Sequence, residues 1–215
     1  MNNPVKVRFL NTANVDDHEF EVISEIIRTW GFTQPIHMEH AVFKKYILGR
    51  WLASALLKSY GVTQEQFRSM TLSNLGKPYI PNHPVSFNIS HSGDLIVCAA
   101  TRNSRIGVDI EHFHPINWKE YEDCFSSTEW RQISLSANPE RLVLEYWTKK
   151  ESLLKADGRG LQIALSNVVI EEDHGTIKKE EKKWYFKQIQ IEGYACHVCK
   201  ESPIANIVTE PMQDL

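Results

Sequence analysis

The first sixty-odd residues repeat apolar positions with the period of a helix. In residues 19–30 and again in residues 39–60, apolar side chains recur three and four positions apart. Gly31 and Gly61 follow these two stretches, and glycine commonly ends a helix. Thr63 with Gln66 has the spacing of a capping box, which marks the start of a helix. The pattern therefore predicts two long helices and a short third one.

From Val85 onward the apolar period changes to two, which is typical of strands. Val85, Phe87 and Ile89 alternate with polar residues and predict a half-buried strand. The turn residues 92–94 separate it from a more apolar strand over residues 95–100, so the two form a hairpin. Residues 106–111 again alternate with period two and predict a third strand.

The second half of the chain repeats this order of elements. Ser126 with Glu129 predicts a capped helix, and a longer helix begins at Asn138 and ends near Gly158. Strand-like stretches follow at residues 167–171, 184–191 and 194–198. We therefore predict an α+β fold of two similar lobes, residues 1–103 and 104–215, each with helices packed on a small antiparallel sheet.

Composition restricts the classes of partner. The 215 residues are 42% hydrophobic with a net charge of −3, which favours neither nucleic acid nor an anionic membrane as a partner. The longest apolar run, residues 95–100, is far shorter than the roughly 20 residues that cross a bilayer. The first ten residues lack the apolar core of a secretory signal, and four cysteines do not make a disulfide framework. We expect a cytoplasmic protein.

The predicted strand over residues 106–111 carries two carboxylates on one face. Side chains alternate along a strand, so Asp109 and Glu111 lie together, about 6.6 Å apart, opposite the apolar residues that face the core. Two such charges repel by about 2.5 kcal/mol at an effective dielectric constant of about 20, and a bound cation would remove that penalty. Taken alone, however, a pair of this kind is usually only solvated.

The long helix after Asn138 adds a third carboxylate. On a helical wheel Glu151 falls within the apolar arc, between Trp147 and Leu144, and a carboxylate directed inward must be paired, protonated or metal-bound. Lys155 lies one turn further on, so a simple ion pair between the two is the competing interpretation. Lys150 also lies in the arc, so the wheel alone does not single out Glu151.

Three carboxylates and a lysine are suitable groups for binding a hard divalent ion together with a phosphate. Further hydrogen-bond donors for a phosphate are available in Ser90 and His91, at the end of a predicted strand, and in Lys77 just ahead of that strand. Taken singly, a histidine in a turn is more often structural and a lysine beside a proline is usually only solvated. The combination favours a site for a divalent ion and a phosphate-bearing substrate.

Three motifs in this order resemble a known family. They are Phe87-Asn88-Ile89-Ser90-His91-Ser92, then Gly107-Val108-Asp109-Ile110-Glu111, then Trp147-Thr148-Lys149-Lys150-Glu151-Ser152-Leu153-Leu154-Lys155-Ala156. With Gly76-Lys77-Pro78 ahead of them, they resemble the 4′-phosphopantetheinyl transferases of the surfactin-synthetase-activating (Sfp) type over roughly residues 39 to 165. The resemblance implies two lobes related by a pseudo-twofold axis, with coenzyme A in the cleft between them.

The resemblance also implies a reaction and the residues that perform it. Asp109, Glu111 and Glu151 would bind Mg²⁺, for which Mn²⁺ could substitute, and Glu151 would deprotonate a serine of an apo acyl or peptidyl carrier protein. That serine would attack the β-phosphate of coenzyme A and release 3′,5′-ADP, with Lys155 stabilising charge on the pyrophosphate. Carriers of fatty acid, polyketide or nonribosomal peptide synthesis are the implied partners, and the enzyme is expected to be a monomer.

Coenzyme A would be held by a second group of residues. Ser90, His91 and Lys77 resemble phosphate contacts of the family, as does Lys155, and Lys45 falls where the family has a basic residue for the 3′-phosphate, with Arg50 as a competitor. The chain departs from the family at residues 33–37, which are nearly uncharged where basic residues are common. The sequence therefore leaves open which residues bind the 3′-phosphate.

Two other functions use the same residues. A metal-dependent pyrophosphohydrolase of coenzyme A-like nucleotides would replace the attacking serine with water, and would release 3′,5′-ADP without a carrier. A non-catalytic module could bind carrier proteins without modifying them. Asp109, Glu111, Glu151 and Lys155 together argue against this last alternative, because carrier binding alone would not require all four.

Overall fold

A computed structural model describes residues 4–33 and 38–212, apart from the side chains of Leu161 and Pro211. The chain divides into two compact units. The first contains the residues up to Asn103 together with those from Asn206 onward, and the second is Ser104–Ala205. Across the described ranges, none of the helices has both the length and the apolar character needed to span a membrane.

The first unit packs helices against a sheet. Its elements are β1 (Val5–Asn11), α1 (Asp17–Thr29), α2 (His40–Lys58), α3 (Gln64–Arg68), β2 (Thr71–Leu72), β3 (Pro78–Tyr79), β4 (Val85–Ser92) and β5 (Leu95–Arg102). Both predicted long helices are present, and α1 begins two residues early because the Asp16 side chain caps it in a box with Glu19. The predicted capping box of Thr63 and Gln66 opens α3. Strands β4 and β5 form the predicted hairpin.

The second unit has one long helix on a five-stranded sheet. Its elements are β6 (Ile106–His112), α4 (Ser127–Ser134), α5 (Pro139–Asp157), β7 (Val168–Ile170), β8 (His174–Ile177), β9 (Trp184–Gln188) and β10 (Tyr194–Lys200). The strand order is β6-β10-β9-β8-β7, so β6 pairs with a strand nearly ninety residues later. Asn138 caps α5, Pro139 occupies its first turn, and Gly158 ends it with φ +96°.

The C-terminal strand corrects the predicted limit of the second lobe. Strand β11 (Ile207–Pro211) pairs in parallel with β1, and the first sheet has the order β11-β1-β5-β4. The predicted lobe 104–215 therefore extends too far, because the backbone hydrogen bonds of its last residues are made with the first unit. The mixed α+β class is confirmed, although the first sheet contains this one parallel pair.

Burial also differs from the period-two prediction. Asn88 and Ser90, predicted on the wet face of a half-buried strand, are each only 7% exposed. On β6 every residue from Ile106 to Ile110 is buried, including Asp109 at 3%. Both strands are therefore covered on both faces, which an alternating sequence does not reveal.

Candidate active site

Strand β6 turns its carboxylate face toward helix α5. A Cβ atom added to Gly107 would lie only 2.1 Å from the Ser152 carbonyl oxygen and 2.4 Å from the Ala156 nitrogen, so this face touches the helix backbone. Because side chains alternate along a strand, Asp109 and Glu111 share the face of Gly107. The prediction of a solvated pair is therefore wrong for Asp109, which α5 covers, while Glu111 at the end of the strand is half-buried.

Asp109 and Lys155 join the strand to the helix. The Lys155 ammonium donates to Asp109 Oδ1 at 2.5 Å, from a side chain that is 29% exposed to one that is 4% exposed. This ion pair crosses between β6 and α5, whereas the sequence left open a pair within the helix between Lys155 and Glu151. A charge-assisted bond to a buried carboxylate fixes both groups more firmly than a surface pair does.

Glu151 lies within electrostatic range of the other charged groups. Burial is the largest cause that raises its pKa above the usual 4.5, and the negative charges of Asp109 and Glu111 add to this, while Lys155 opposes it. The half-buried Glu151 side chain therefore feels both strand carboxylates and the lysine. The structure thus brings together the four residues that the sequence singled out in this half of the chain.

The donor set suits a divalent cation, although it is not drawn together around one. Among the side chains of residues 4–33 and 38–212, no three or more His, Cys, Asp or Glu are gathered closely enough to hold a metal ion as they stand. The negative charges of Asp109 and Glu111 both raise the pKa of Glu151, so negative charge is concentrated around its side chain. Carboxylate oxygens are the ligands Mg²⁺ prefers, and such an ion would relieve this repulsion.

Lys150, which shares the apolar arc with Glu151, has a structural role. Its fully buried ammonium lies 2.8 Å from Glu129 Oε2 and close to three carbonyl oxygens, and it shares its three N–H donors among these four acceptors. The carbonyl oxygens are those of Cys124, Leu165 and Val168. Glu129 also accepts from the backbone N–H of Ser126 and of Ile170. Both charges are thus satisfied by hydrogen bonds, as a buried pair requires.

Sequence reasoning missed two further polar residues beside the carboxylates. His197 on β10 is the cross-strand partner of Asp109, is 3% exposed, and its Nδ1 lies 2.8 Å from Thr148 Oγ1 on α5. Burial, with a smaller contribution from Lys149, lowers the pKa of His197 to about 3. A local pattern could not reveal this contact, since it depends on the pairing register of β10 with β6.

The predicted coenzyme A contacts lie in the first unit, apart from Lys155. Ser90 is buried near the end of β4, His91 beside it is exposed, Lys77 lies between β2 and β3, and Lys45 is half-buried on α2. The competitor Arg50 stacks over the Tyr46 ring, 3.2 Å from its centroid. Of the nearly uncharged stretch 33–37, residues 34–37 lie outside the described residues.

Several known proteins are similar to this chain in sequence. A sequence model of the 4′-phosphopantetheinyl transferase superfamily matches residues 105–199, which include β6, α5 and most of β10. The 4′-phosphopantetheinyl transferase gsp of Aneurinibacillus migulanus is 28% identical over 97% of this chain and 92% of its own length. The 4′-phosphopantetheinyl transferase Sfp of Bacillus subtilis is 31% identical over 70% of each chain.

A relative from a third organism carries the same name. The 4′-phosphopantetheinyl transferase AcpT of Escherichia coli is 32% identical over 51% of this chain and 57% of its own length. The carboxylate face of β6 and the charged side of α5 lie within residues 105–199, which the superfamily model matches. All three relatives are named 4′-phosphopantetheinyl transferases. The chain belongs to the 4′-phosphopantetheinyl transferase superfamily.

Proposed function

We propose that this chain transfers 4′-phosphopantetheine from coenzyme A to a serine hydroxyl of an apo acyl or peptidyl carrier protein, with Mg²⁺ bound by Asp109, Glu111 and Glu151. The observation that supports the proposal, in a chain of this family, is the ion pair of Lys155 with Asp109 between α5 and β6. Glu151 lies within electrostatic range of this pair and of Glu111. The bond formed joins the serine oxygen to the β-phosphorus, and the diphosphate P–O bond breaks to release 3′,5′-ADP.

Glu151 is proposed as the base that accepts the serine proton. A serine hydroxyl is a weak nucleophile at neutral pH and needs a positioned base. The burial and neighbouring negative charge that raise the pKa of Glu151 make it a stronger base than an exposed glutamate. Its half-buried position on α5 also limits the water that could compete for the proton.

Lys155 and the bound cation are proposed to neutralise the diphosphate. Lys155 is held by Asp109, so its ammonium is already oriented before substrate binds. When bound, Mg²⁺ would supply positive charge that stabilises the phosphate oxygens. Lys45, Lys77, Ser90 and His91 are proposed as further contacts of coenzyme A, because their residue types suit phosphate groups.

The proposal extends to the relation of the two units, the location of the protein and its carrier partners. The two units are proposed to be the two lobes of the family, with a pseudo-twofold relation and a coenzyme A site between them that a substrate complex would test. The charge and composition of the chain support a cytoplasmic protein without nucleic-acid or membrane partners. Analogy with the family supports a monomer. Carriers of fatty acid, polyketide and peptide synthesis are all candidates.

The test is a mass-shift assay on a panel of apo carrier proteins with coenzyme A and Mg²⁺. The expected result is the addition of one phosphopantetheinyl group to at least one carrier, lost on chelation and restored by Mg²⁺ or Mn²⁺. Asp109→Asn should lower the rate at least a hundredfold, because it removes a ligand charge and the partner of Lys155. Glu25→Gln on the exposed side of α1 is the matched control and should be fully active.

Other outcomes would identify the competing functions. Release of 3′,5′-ADP from coenzyme A at the same rate with and without a carrier would indicate a pyrophosphohydrolase. Binding of an apo carrier with no mass shift under any of these conditions would indicate a binding module. A fully active Asp109→Asn enzyme would overturn the assignment of the metal ligands.

A further inference from the structure

A buried hydrogen bond ties helix α5 to the sheet beside the carboxylates. His197 Nδ1 and Thr148 Oγ1 are 2.8 Å apart, and both side chains are buried. The Thr148 hydroxyl also lies 2.9 Å from the Leu144 carbonyl oxygen and 3.1 Å from that of Glu145. A hydroxyl has one proton, so Thr148 donates either to the helix backbone or to His197 Nδ1, and the tautomer of the imidazole decides which.

This bond lies at the level of the candidate site. His197 is paired with Asp109 across β10 and β6, and directly opposed residues of an antiparallel pair share a face of the sheet. Thr148 precedes Glu151 by three residues on α5, so the two lie close together on the helix surface. The hydrogen bond therefore joins His197, the neighbour of Asp109, to Thr148, the neighbour of Glu151.

A second contact holds α5 against the sheet about two turns after Thr148. The missing Cβ of Gly107 lets the backbone of α5 approach β6 at Ser152 and Ala156. Thr148 and Ala156 thus mark the two ends of the helical segment that is held against the sheet, and Glu151 and Lys155 both lie within it. Gly107 permits the close approach of the helix, and the hydrogen bond at Thr148 adds a directional contact with the sheet.

The chemistry of His197 suits a fixed attachment. Burial keeps the imidazole neutral at working pH, so the bond to Thr148 does not change with pH. Two apolar residues could fill the same space without the cost of burying polar groups. A satisfied polar pair, in contrast, specifies one geometry among several packed arrangements.

We propose that His197 is a positioning residue, which through Thr148 sets the position of Glu151 and Lys155 on α5 relative to Asp109. The inference rests on the proposed function in one respect, namely that Glu151 and Lys155 act on the substrate. A misplacement of about 1 Å in a catalytic group costs up to about a hundredfold in rate. Loss of this hydrogen bond should therefore lower kcat more than it affects coenzyme A binding.

The test uses two near-isosteric variants of the full chain, His197→Phe and Thr148→Val, which each remove the bond and keep most of the packing. Each is expected to lower kcat by roughly ten- to a hundredfold, with KM for coenzyme A changed less than threefold. The double variant should be no slower than the slower single variant, because both remove one interaction. Thr148→Ser keeps the hydroxyl and should restore at least half of the wild-type kcat.

The matched control separates positioning from general stability. Tyr60→Phe in the first unit also removes a buried hydrogen bond, 2.7 Å from the Tyr60 hydroxyl to the Ala100 carbonyl oxygen. At a temperature where near-ultraviolet circular dichroism shows all variants folded, Tyr60→Phe should keep wild-type kcat. An equal loss of kcat in this control and in His197→Phe would overturn the proposal, as would wild-type kcat in His197→Phe.

A readout independent of activity comes from crystal structures of the metal-free variants. In His197→Phe the contact between Lys155 Nζ and Asp109 Oδ1, 2.5 Å in the wild type, is expected to lengthen beyond 3.5 Å. An unchanged contact would overturn the proposal even if activity fell. If the wild-type protein transferred no phosphopantetheine, the proposed function would fail, while this structural measurement would still decide the role of His197.

Discussion

The two acidic residues on either side of the candidate site are held in different ways. Asp109 is buried and is compensated by the Lys155 ammonium at 2.5 Å. Glu151 is half-buried, and burial together with Asp109 and Glu111 outweighs the favourable effect of Lys155, so its pKa is raised. Negative charge at Glu151 therefore opposes folding of the metal-free protein. Binding of a cation or a proton at Glu151 would remove this cost.

This cost predicts that Glu151→Gln stabilises the metal-free protein. A carboxyl with a pKa above its unfolded value of 4.5 binds its proton more tightly when folded, so its ionised form destabilises the fold at neutral pH. At pH 7 with chelator, the variant should melt at a higher temperature than the wild type. The difference should disappear as the pH falls through the raised pKa and below 4.5, where both side chains are neutral.

Thermal melts at pH 7 and pH 4 measure this effect. Glu25→Gln is again the control, since an exposed substitution should change stability by less than about 0.5 kcal/mol. A Glu151→Gln protein that melts below the wild type at pH 7 would contradict the charge concentration inferred at the site.

At the scale of the elements, α5 is the part that assembles the site. It carries Glu151 and Lys155 toward β6 and at the same time buries Lys150 on another side, where Glu129 and three carbonyl oxygens hold it. The helix is thus fixed by an ion pair to α4 and by backbone contact with β6. Of its two adjacent charged residues, Lys150 has a structural role and Glu151 is the proposed base.

The close approach of α5 to β6 predicts that Gly107→Ala is strongly disruptive. The added Cβ would lie 2.1 Å from the Ser152 carbonyl oxygen, so the helix must move away from the strand. We expect a loss of about 1–3 kcal/mol or more in stability and a rate of transfer lowered at least tenfold. Urea unfolding and the mass-shift assay measure the two effects.

Gly49→Ala gives the matched comparison. Gly49 lies within α2, where an added Cβ would come no nearer than 3.4 Å to a side-chain atom of Ile89, and alanine is the better helix former by up to about 1 kcal/mol. This variant should be as stable as the wild type or more so, and as active. Equal behaviour of the two alanine variants would show that the helix and strand are not in tight contact at Gly107.

Elements with local signals were predictable, and those that depend on distant pairing were not. The capping boxes at Thr63 and Ser126 mark their helices because both partners lie within one turn. Strands β1 and β11 were missed, since they pair with each other about two hundred residues apart in the chain. The alternation on β6 correctly placed Asp109 and Glu111 on one face, but could not indicate that α5 covers it.

The same limit explains His197. Nothing in the sequence around it distinguishes this histidine from others, and its role follows only from the register that places it opposite Asp109. Glu151 and Lys155, by contrast, were accessible from the sequence, because one helical turn separates them and the apolar arc around Glu151 is local. The candidate site was thus predictable in its composition and not in its supporting contacts.

At the scale of the whole molecule, the first unit is built from two separate parts of the chain. Strand β1 lies between β5 and β11, so β11 covers one backbone edge of β1. The ion pair between Arg8 and Glu210 adds a side-chain contact to the same pairing. The second unit, Ser104–Ala205, is continuous and contains all of the proposed metal ligands.

This division predicts the effect of removing the residues after Ala205. Without β11, strand β1 becomes the edge of its sheet, and hydrogen exchange of β1 amides should accelerate at least tenfold while that of β10 amides is unchanged. Glu210→Gln is the control, because loss of an exposed ion pair costs less than about 1 kcal/mol and leaves the backbone pairing intact. Equal acceleration in β1 and β10 would contradict the separation of the two units.

The late position of β11 also matters while the protein is being made. About a hundred residues separate β5 from β11, and a ribosome adds roughly 5–20 residues each second. For roughly 5–20 s, therefore, the emerging chain exposes the unpaired backbone of β1 to every other nascent strand nearby. That interval is when aggregation competes with folding and when a chaperone would be of most use.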